Sequence, residues 1–555
     1  MRAALLGLAV LASCGPLRDS DCDLVIRGGT VVDGTGAPGF VGDVAVRGDR
    51  VVAVSRGRFE GSGRREIDAR GRVVAPGFID MHSHSDWLLF EDGAAQSKIR
   101  QGVTTEVLGE DSSGGPFKGK LPPRKEGKAE WTTLGGYFDA LEMSRIAVNV
   151  ASYVGQGNVW RCVMGDSFER PSVAQIEEMK KLVDEAMEDG ALGLSSMLAS
   201  PPGLLAKREE LIELCRPVAK HGGIYSSHIR HEGTGVLDAV REAIEIGEKA
   251  GVPVDIIHIK IADQQLWKRM AEVVGLVESA RARGVNVQAN VYPYTRGNNN
   301  LVSILPPWAR EGGQERMMAR LRDAGERGRL KKDIQTFSPD WYNHYLAVGG
   351  DWSRMLVNGE LGAKNGRFEG QTMDRIIAEK SLGRSPPPDP LDVLFDFLLE
   401  ENGSIPTIYA HHTEEDMNLA LRQPWCSVGS DGLAYATEGP LRRGRPHPRS
   451  FGTFPRVLGV YVRERKLLTL EDAVRKMTSL NARKVGLRDR GELRPGAFAD
   501  ITVFDPARVI DKATYLEPFQ YPDGIELVVV NGQVVFDGAA HTGARPGRVL
   551  RRGRG

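Results

Sequence analysis

The chain has 555 residues, 41% hydrophobic and 26% charged, with 73 Lys plus Arg against 73 Asp plus Glu. That length exceeds one small domain and leaves room for a large barrel with accessory parts. The charge balance gives no footprint for nucleic acid, and the five cysteines, with no CxxC among them, argue against a zinc ribbon or a disulfide scaffold.

Residues 1–14 read as a lipoprotein-type signal: Arg2, a short apolar run from Ala3 to Ala12, then Leu11-Ala12-Ser13-Cys14. Such a run is too short to span a bilayer. Small residues before Cys14 point to cleavage there and lipidation of its thiol; an ordinary cleaved signal is the alternative. Either way the mature chain is exported, and a lipid anchor on Cys14 is its only predicted membrane attachment. Cys22, Cys162, Cys215 and Cys426 are expected to be mostly buried thiols.

Residues 15–72 are β-rich. Leu24 to Val32 reads as a strand and Asp43 to Val54 as a hairpin around Gly48-Asp49, and Glu66 to Val74 leads onward. The C-terminal stretch 485–540 has the same texture, with an Asn531-Gly532 turn between apolar runs. Residues 541–555 are basic and read as a frayed tail.

The central segment, 73–484, alternates strand and helix, the pattern of parallel βαβ units. Eight strands are predicted: 73–80, 103–109, 147–154, 191–196, 224–228, 254–260, 285–292 and 427–431. Helices are predicted between them, for example over 173–189 and 235–250. Eight such units fit a TIM-type (β/α)8 barrel, whose active sites collect at the C-terminal ends of the strands. The excursion 308–403 is charged and punctuated by Gly and Pro, and reads as an inserted lid. Within it Trp341, Tyr342 and Trp352 are candidates for an acyl pocket, although lid core is the commoner fate of such residues.

The polar residues of interest sit at predicted strand ends. The first strand runs through VVAPGFIDMHSHSD, ending in Asp80, His82 and His84. Two residues apart on an extended chain lie roughly 6.5 Å apart and face the same side, close enough for both imidazoles to reach one ion. His228 ends IYSSH and His258 ends VDIIH, and together they read as ligands of a second metal position. Asp431 closes the last strand in SVGSDG. The adjacent pair His411-His412 faces opposite ways on a strand and is left out of the metal site.

The HxH strand resembles that of the amidohydrolase superfamily. The collinear set QGVTTEVLG, EDGALGLSSMLASPPG, YSSHIRHEG, NVYPYTRG, LPPW, QPWCSVGSDG and HPRSFGTFPRVLG is similar to the N-acyl-D-amino-acid deacylases, or D-aminoacylases. The resemblance implies a composite β-sandwich from both termini beside the barrel. It implies Zn²⁺, one or two ions per chain, and a small-molecule substrate: an N-acyl-D-amino acid or a dipeptide ending in a D-residue. A metal-bound hydroxide would attack the amide, with Asp431 as general acid and base. The superfamily's bridging lysine on strand four is missing, so Glu110, or failing that Asp111, is expected to bridge. Glu110, His228 and His258 are expected around the tighter metal, and His82 and His84 at the second. Lys260 and Tyr292 are the implied contacts for the substrate carboxylate. Arg230 and Arg296 are further candidates, with an ion pair to Glu232 or another acid as the alternative for Arg230. A cyclic amidase of the dihydroorotase or hydantoinase type shares the HxH pair and the Asp but usually keeps the lysine. A non-catalytic binding protein on the same scaffold should have lost ligands.

Overall fold

A computed structural model describes residues 22–553, so the predicted signal and Cys14 lie outside the described residues. Both termini build one sheet. Strands Cys22–Val31, Phe40–Arg47, Arg50–Arg56, Gly63–Asp68 and Val73–Pro76 join Ile501–Phe504, Ile525–Val530 and Gln533–Phe536. The stitch is Val73–Pro76, which pairs parallel to Thr30 and Val31 and antiparallel to Ile501–Phe504. Alternating apolar residues from both ends, among them Leu24, Val44, Val74, Ile501 and Val529, share a core of their own.

The stretch 73–80 is therefore not one barrel strand. It breaks at Gly77, where a Cβ would stand 2.2 Å from the Thr104 side chain, so only a glycine lets the chain cross from sheet to barrel. The barrel strands are Phe78–Asp80, Val103–Leu108, Asn149–Ser152 (continued by Val154–Gly155), Gly193–Met197, Ile224–His228, Val254–Ile256, Val287–Val291 and Cys426–Val428. Each pairs parallel to its neighbour. Leu192 N–H donates to Ser152 O at 2.9 Å, joining the two arcs. The first and eighth strands meet just beyond their ends, where Asp431 N–H donates to His82 O at 2.8 Å and His84 N–H to Gly432 O at 3.0 Å. The strands are shorter than their apolar runs suggest, because buried backbone stays apolar after it has left the ladder.

Helix Val173–Asp189 has the expected bounds. Ser172 caps it in a reciprocal pair with Gln175, and Gly190 ends it at φ 109°. The excursion after the seventh strand is a folded subdomain. Strands Gly297–Asn300, Met355–Val357 and Pro406–Tyr409 form an antiparallel sheet. Helices Gly313–Arg322, Ala324–Gln335, Met373–Lys380 and Pro390–Glu400 pack on it around Leu321, Leu330, Phe368, Phe395 and Phe397. Trp352 packs on Tyr345, whereas Trp341 and Tyr342 line a small cavity towards the barrel.

The tail is not frayed. Val150 N–H donates to Arg548 O at 2.9 Å, Leu550 N–H to Val150 O at 2.7 Å and Arg552 N–H to Gly190 O at 2.9 Å. Arg551 pairs with Asp139. The segment crosses the N-terminal end of the barrel with its backbone paired, Arg548 exposed and Arg551 and Arg552 half-buried. Four cysteines, Cys22, Cys162, Cys215 and Cys426, are buried and form no disulfide among the described residues. No helix among the described residues is long and apolar enough to cross a membrane.

Candidate active site

The barrel mouth gathers five of the predicted side chains around Glu110. His82 and His84 follow the first strand, their ring centroids 4.9 Å apart. Glu110 lies two residues past the second strand. Its Oε2 stands 2.6 Å from His82 Nε2 and 3.2 Å from His84 Nε2, and its Oε1 stands 2.9 Å from His228 Nδ1. Asp431 Oδ1 lies 3.0 Å from His84 Nε2, and its Oδ2 3.8 Å from His258 Nε2. Two groups have ligand atoms all within 4.8 Å of one another: His82, His84, Glu110 and Asp431, and Glu110, His228 and His258. Glu110 belongs to both, one oxygen facing each. A third such group, Asp184, Glu188 and His221, lies on the barrel exterior, where Lys220 already pairs with Asp184.

Backbone conformation aims these groups. Asp431 sits at φ 53° and His258 at φ 35°, left-handed values that cost free energy in a non-glycine residue and tend to mark functional sites. His258 is held there by its N–H donating to Asn290 Oδ1 at 2.9 Å. The sixth strand ends at Ile256, so His258 and Lys260 do not share a strand face. The left-handed turn nevertheless sets Lys260 Nζ 2.8 Å from His258 Nδ1, while Lys260 forms a buried ion pair with Glu232.

Electrostatics follow from this crowding. Burial opposes the Glu110 charge, but His82, His228 and His84 hold its carboxyl well below the usual range. Burial likewise opposes the Asp431 charge, and Arg449, with His82 and His84, outweighs it. His84 is pushed up to about 10, since its contacts with Asp431 and Glu110 overcome burial. Burial, then Lys260 and His228, lower His258 to about 4, leaving the neutral imidazole that a cation needs. Four imidazoles around a shared carboxylate form a donor set suited to zinc once an ion displaces the protons they carry.

Other predicted residues belong to neither ligand group. Asp111 turns away at φ 52°, its Oδ1 accepting from Met197 N–H at 3.3 Å, and burial raises it to about 6. Arg230 is not placed to receive substrate. Its guanidinium pairs with Glu242 at 2.8 Å and donates to Leu204 O and Ala206 O, so it braces the loop after the fourth strand. Arg296 lies over the Tyr515 ring, 4.5 Å from its centroid. Tyr292 is buried and its hydroxyl has no partner.

Arg449 and Lys98, not singled out in the sequence, and Glu232, considered there only as a partner of Arg230, complete the site. Arg449 Nη1 lies 2.6 Å from Asp431 Oδ2, and its guanidinium 4.9 Å from the Tyr292 centroid. Glu232 ties Lys260 to His258 and His228. Lys98, fully buried, donates to Asp80 Oδ2 at 2.7 Å, Ser83 Oγ at 3.0 Å and Ser430 Oγ at 2.9 Å, pinning the HxH loop to the segment that carries Asp431. Glu232 and Arg449 lie in motifs already recognised, YSSHIRHEG and HPRSFGTFPRVLG, and that was the available signal.

A parallel barrel with imidazoles and a carboxylate converging at the C-terminal ends of its strands is the architecture of a metal-dependent hydrolase. A model of the amidohydrolase family matches residues 65–322 and 424–536, and the chain belongs to that family. Within it the chain is one of the N-acyl-D-amino-acid deacylases. It is 36% identical over 537 residues to a D-aminoacylase of Alcaligenes xylosoxydans xylosoxydans, covering 96% of this chain and 98% of the relative. It is likewise 36% identical to that organism's N-acyl-D-glutamate deacylase, covering 96% of each. A solved N-acyl-D-glutamate deacylase from Bordetella bronchiseptica, complexed with zinc and a phosphonate mimic of the tetrahedral intermediate, superposes with a TM-score of 0.78 at 32% identity. That match covers 96% of this chain and all of the other.

Proposed function

We propose that this protein hydrolyses the amide bond of N-acyl-D-amino acids, or of dipeptides ending in a D-residue, using zinc. The observation that carries this reading is Glu110, whose two carboxylate oxygens face two separate histidine groups. His228 and His258 would hold one ion with Glu110, and His82 and His84 the second. Bound zinc supplies Lewis acidity that polarises a carbonyl and makes a water acidic near neutrality. Asp431 would accept a proton from the attacking water at a carboxylate oxygen and return it to the departing nitrogen, because an amide nitrogen leaves poorly unless protonated. Arg449 orients the carboxylate through Oδ2.

The substrate's α-carboxylate fits beside Tyr292. Its unpartnered hydroxyl offers a donor, and the Arg449 guanidinium and Lys260 ammonium stand 4.9 and 5.8 Å from its ring centroid. Lys260 is paired with Glu232 and Arg449 with Asp431, so the Tyr292 hydroxyl is the one unpartnered donor of the three and the two cations add their charge around it. D-selectivity is supported by the relatives. A cyclic amidase is disfavoured by the fourth strand, Gly193–Met197, which ends without lysine.

Zinc-loaded protein should release amine from N-acetyl-D-amino acids, leave the L-forms and hydantoins untouched, and lose turnover in Asp431→Asn with zinc retained. Ring opening of hydantoins in place of deacylation would refute this reading. Export as a lipoprotein belongs to the same proposal; palmitate labelling of cells that persists in Cys14→Ser would rule it out.

A further inference from the structure

Between the barrel and the inserted subdomain lies a second cleft, about 280 Å³ and open to solvent, that none of the candidate metal ligands lines. Arg161, on helix Gln156–Met164, and Arg310, at the end of the turn Pro307–Arg310, both face it. Neither guanidinium has a hydrogen-bond or ion-pair partner among the described residues. Asp166, the one acid on the wall, pairs with neither. Burial and the neighbouring charge of Arg161 both lower the Arg310 pKa. Both arginines are half-buried, the buried Asp111 carboxylate feels the Arg161 charge, and no acceptor on the cleft wall meets either guanidinium, so the pair leaves room for an anion. The fork of a guanidinium matches a carboxylate, which accepts two parallel hydrogen bonds. The remaining wall is largely apolar: Phe168, Leu205, Val302 and Met317. Small hydrated anions gain nothing from such a surface, whereas an alkyl chain does.

We propose that this cleft binds a carboxylate carried on an apolar body, its charge on Arg161 and Arg310 and its chain along Leu205, Val302 and Met317. Medium-chain fatty acids have this chemistry. On the deacylase reading above, the acid released from a medium-chain N-acyl substrate is one of them, although binding itself does not depend on that reading.

The test is calorimetric titration of the zinc-loaded full chain with octanoate, acetate and inorganic phosphate, with turnover of N-acetyl-D-amino acids measured in parallel. Octanoate should bind best, and Arg161→Gln and Arg310→Gln should each weaken it at least about tenfold while turnover stays unchanged. Met317→Glu keeps both guanidiniums, is the check should an arginine variant fold poorly, and should also abolish octanoate binding. Octanoate affinity untouched by all three substitutions, phosphate binding as tightly as octanoate, or no binding would overturn the proposal. Octanoate shifts seen in a protein without turnover would sink the deacylase reading and leave this one standing.

Discussion

Glu110 is the residue on which both halves of the site depend. Removing it should weaken both ion positions, because the His228 and His258 group loses its only carboxylate and the His82 and His84 group is left with Asp431 alone. Glu110→Gln should therefore bring bound zinc, measured by elemental analysis after dialysis, close to zero, whereas His82→Ala should keep the ion between His228 and His258. Equal occupancy in the two variants would show that Glu110 does not bridge. Lys98 makes a different prediction. Its ammonium is fully buried among Asp80, Ser83 and Ser430, with Glu106 3.5 Å away. Lys98→Met strands Asp80 and Glu106 as buried acids, a loss on the order of 3–5 kcal/mol. The thermal midpoint should fall sharply, with zinc content dropping because the HxH loop loses its anchor; an unchanged midpoint would contradict the geometry. The histidines were legible in the sequence because HxH spacing fixes where two imidazoles point. Lys98 and the pairing of Arg449 with Asp431 were not, since the partners lie 15 residues away or more and only folding brings them together.

Among the elements, periodicity located all eight barrel strands but misjudged their ends. Apolar residues continue past Ile256, whereas the backbone turns left-handed at His258; that turn is conformational and leaves no mark on composition. The inserted subdomain was recognisable as an excursion, but its sheet pairs Gly297–Asn300 with Pro406–Tyr409 across more than a hundred residues, beyond any local pattern. Its helix Pro390–Glu400 carries a titration with a definite sign. Burial disfavours the Glu400 charge, yet Lys364, Lys380 and Asn365 lower its carboxyl from 4.5 to about 2. A carboxyl with a depressed folded value stabilises above its unfolded pKa and loses that contribution as pH falls. The subdomain should thus loosen between about pH 4.5 and 2, seen as faster hydrogen exchange in this helix, and Glu400→Gln should flatten that pH dependence. The same acid dependence in Glu400→Gln would assign it to other groups.

Across the whole molecule, the chain ends close the fold. The N-terminal strands and Ile501–Phe504 build one sheet, and the tail beyond it crosses the barrel floor, opposite the metal ligands. Composition alone made that tail look solvated, because arginines keep their charges in water while their backbone pairs. Val549 is buried, Arg551 meets Asp139, and Arg552 donates to Gly222 O. Truncation after residue 540 removes three backbone hydrogen bonds that tie Val150 and Gly190 to the tail, each contributing about 1 kcal/mol, together with the Val549 contact. The truncated protein should melt several degrees lower, with zinc content and KM unchanged, because the floor and the mouth of the barrel are separated by its packed interior. If KM or zinc occupancy falls along with the midpoint, the floor is coupled to the site through the third and fourth strands. Val150→Pro, which deletes one of those donors without shortening the chain, should then reproduce the effect.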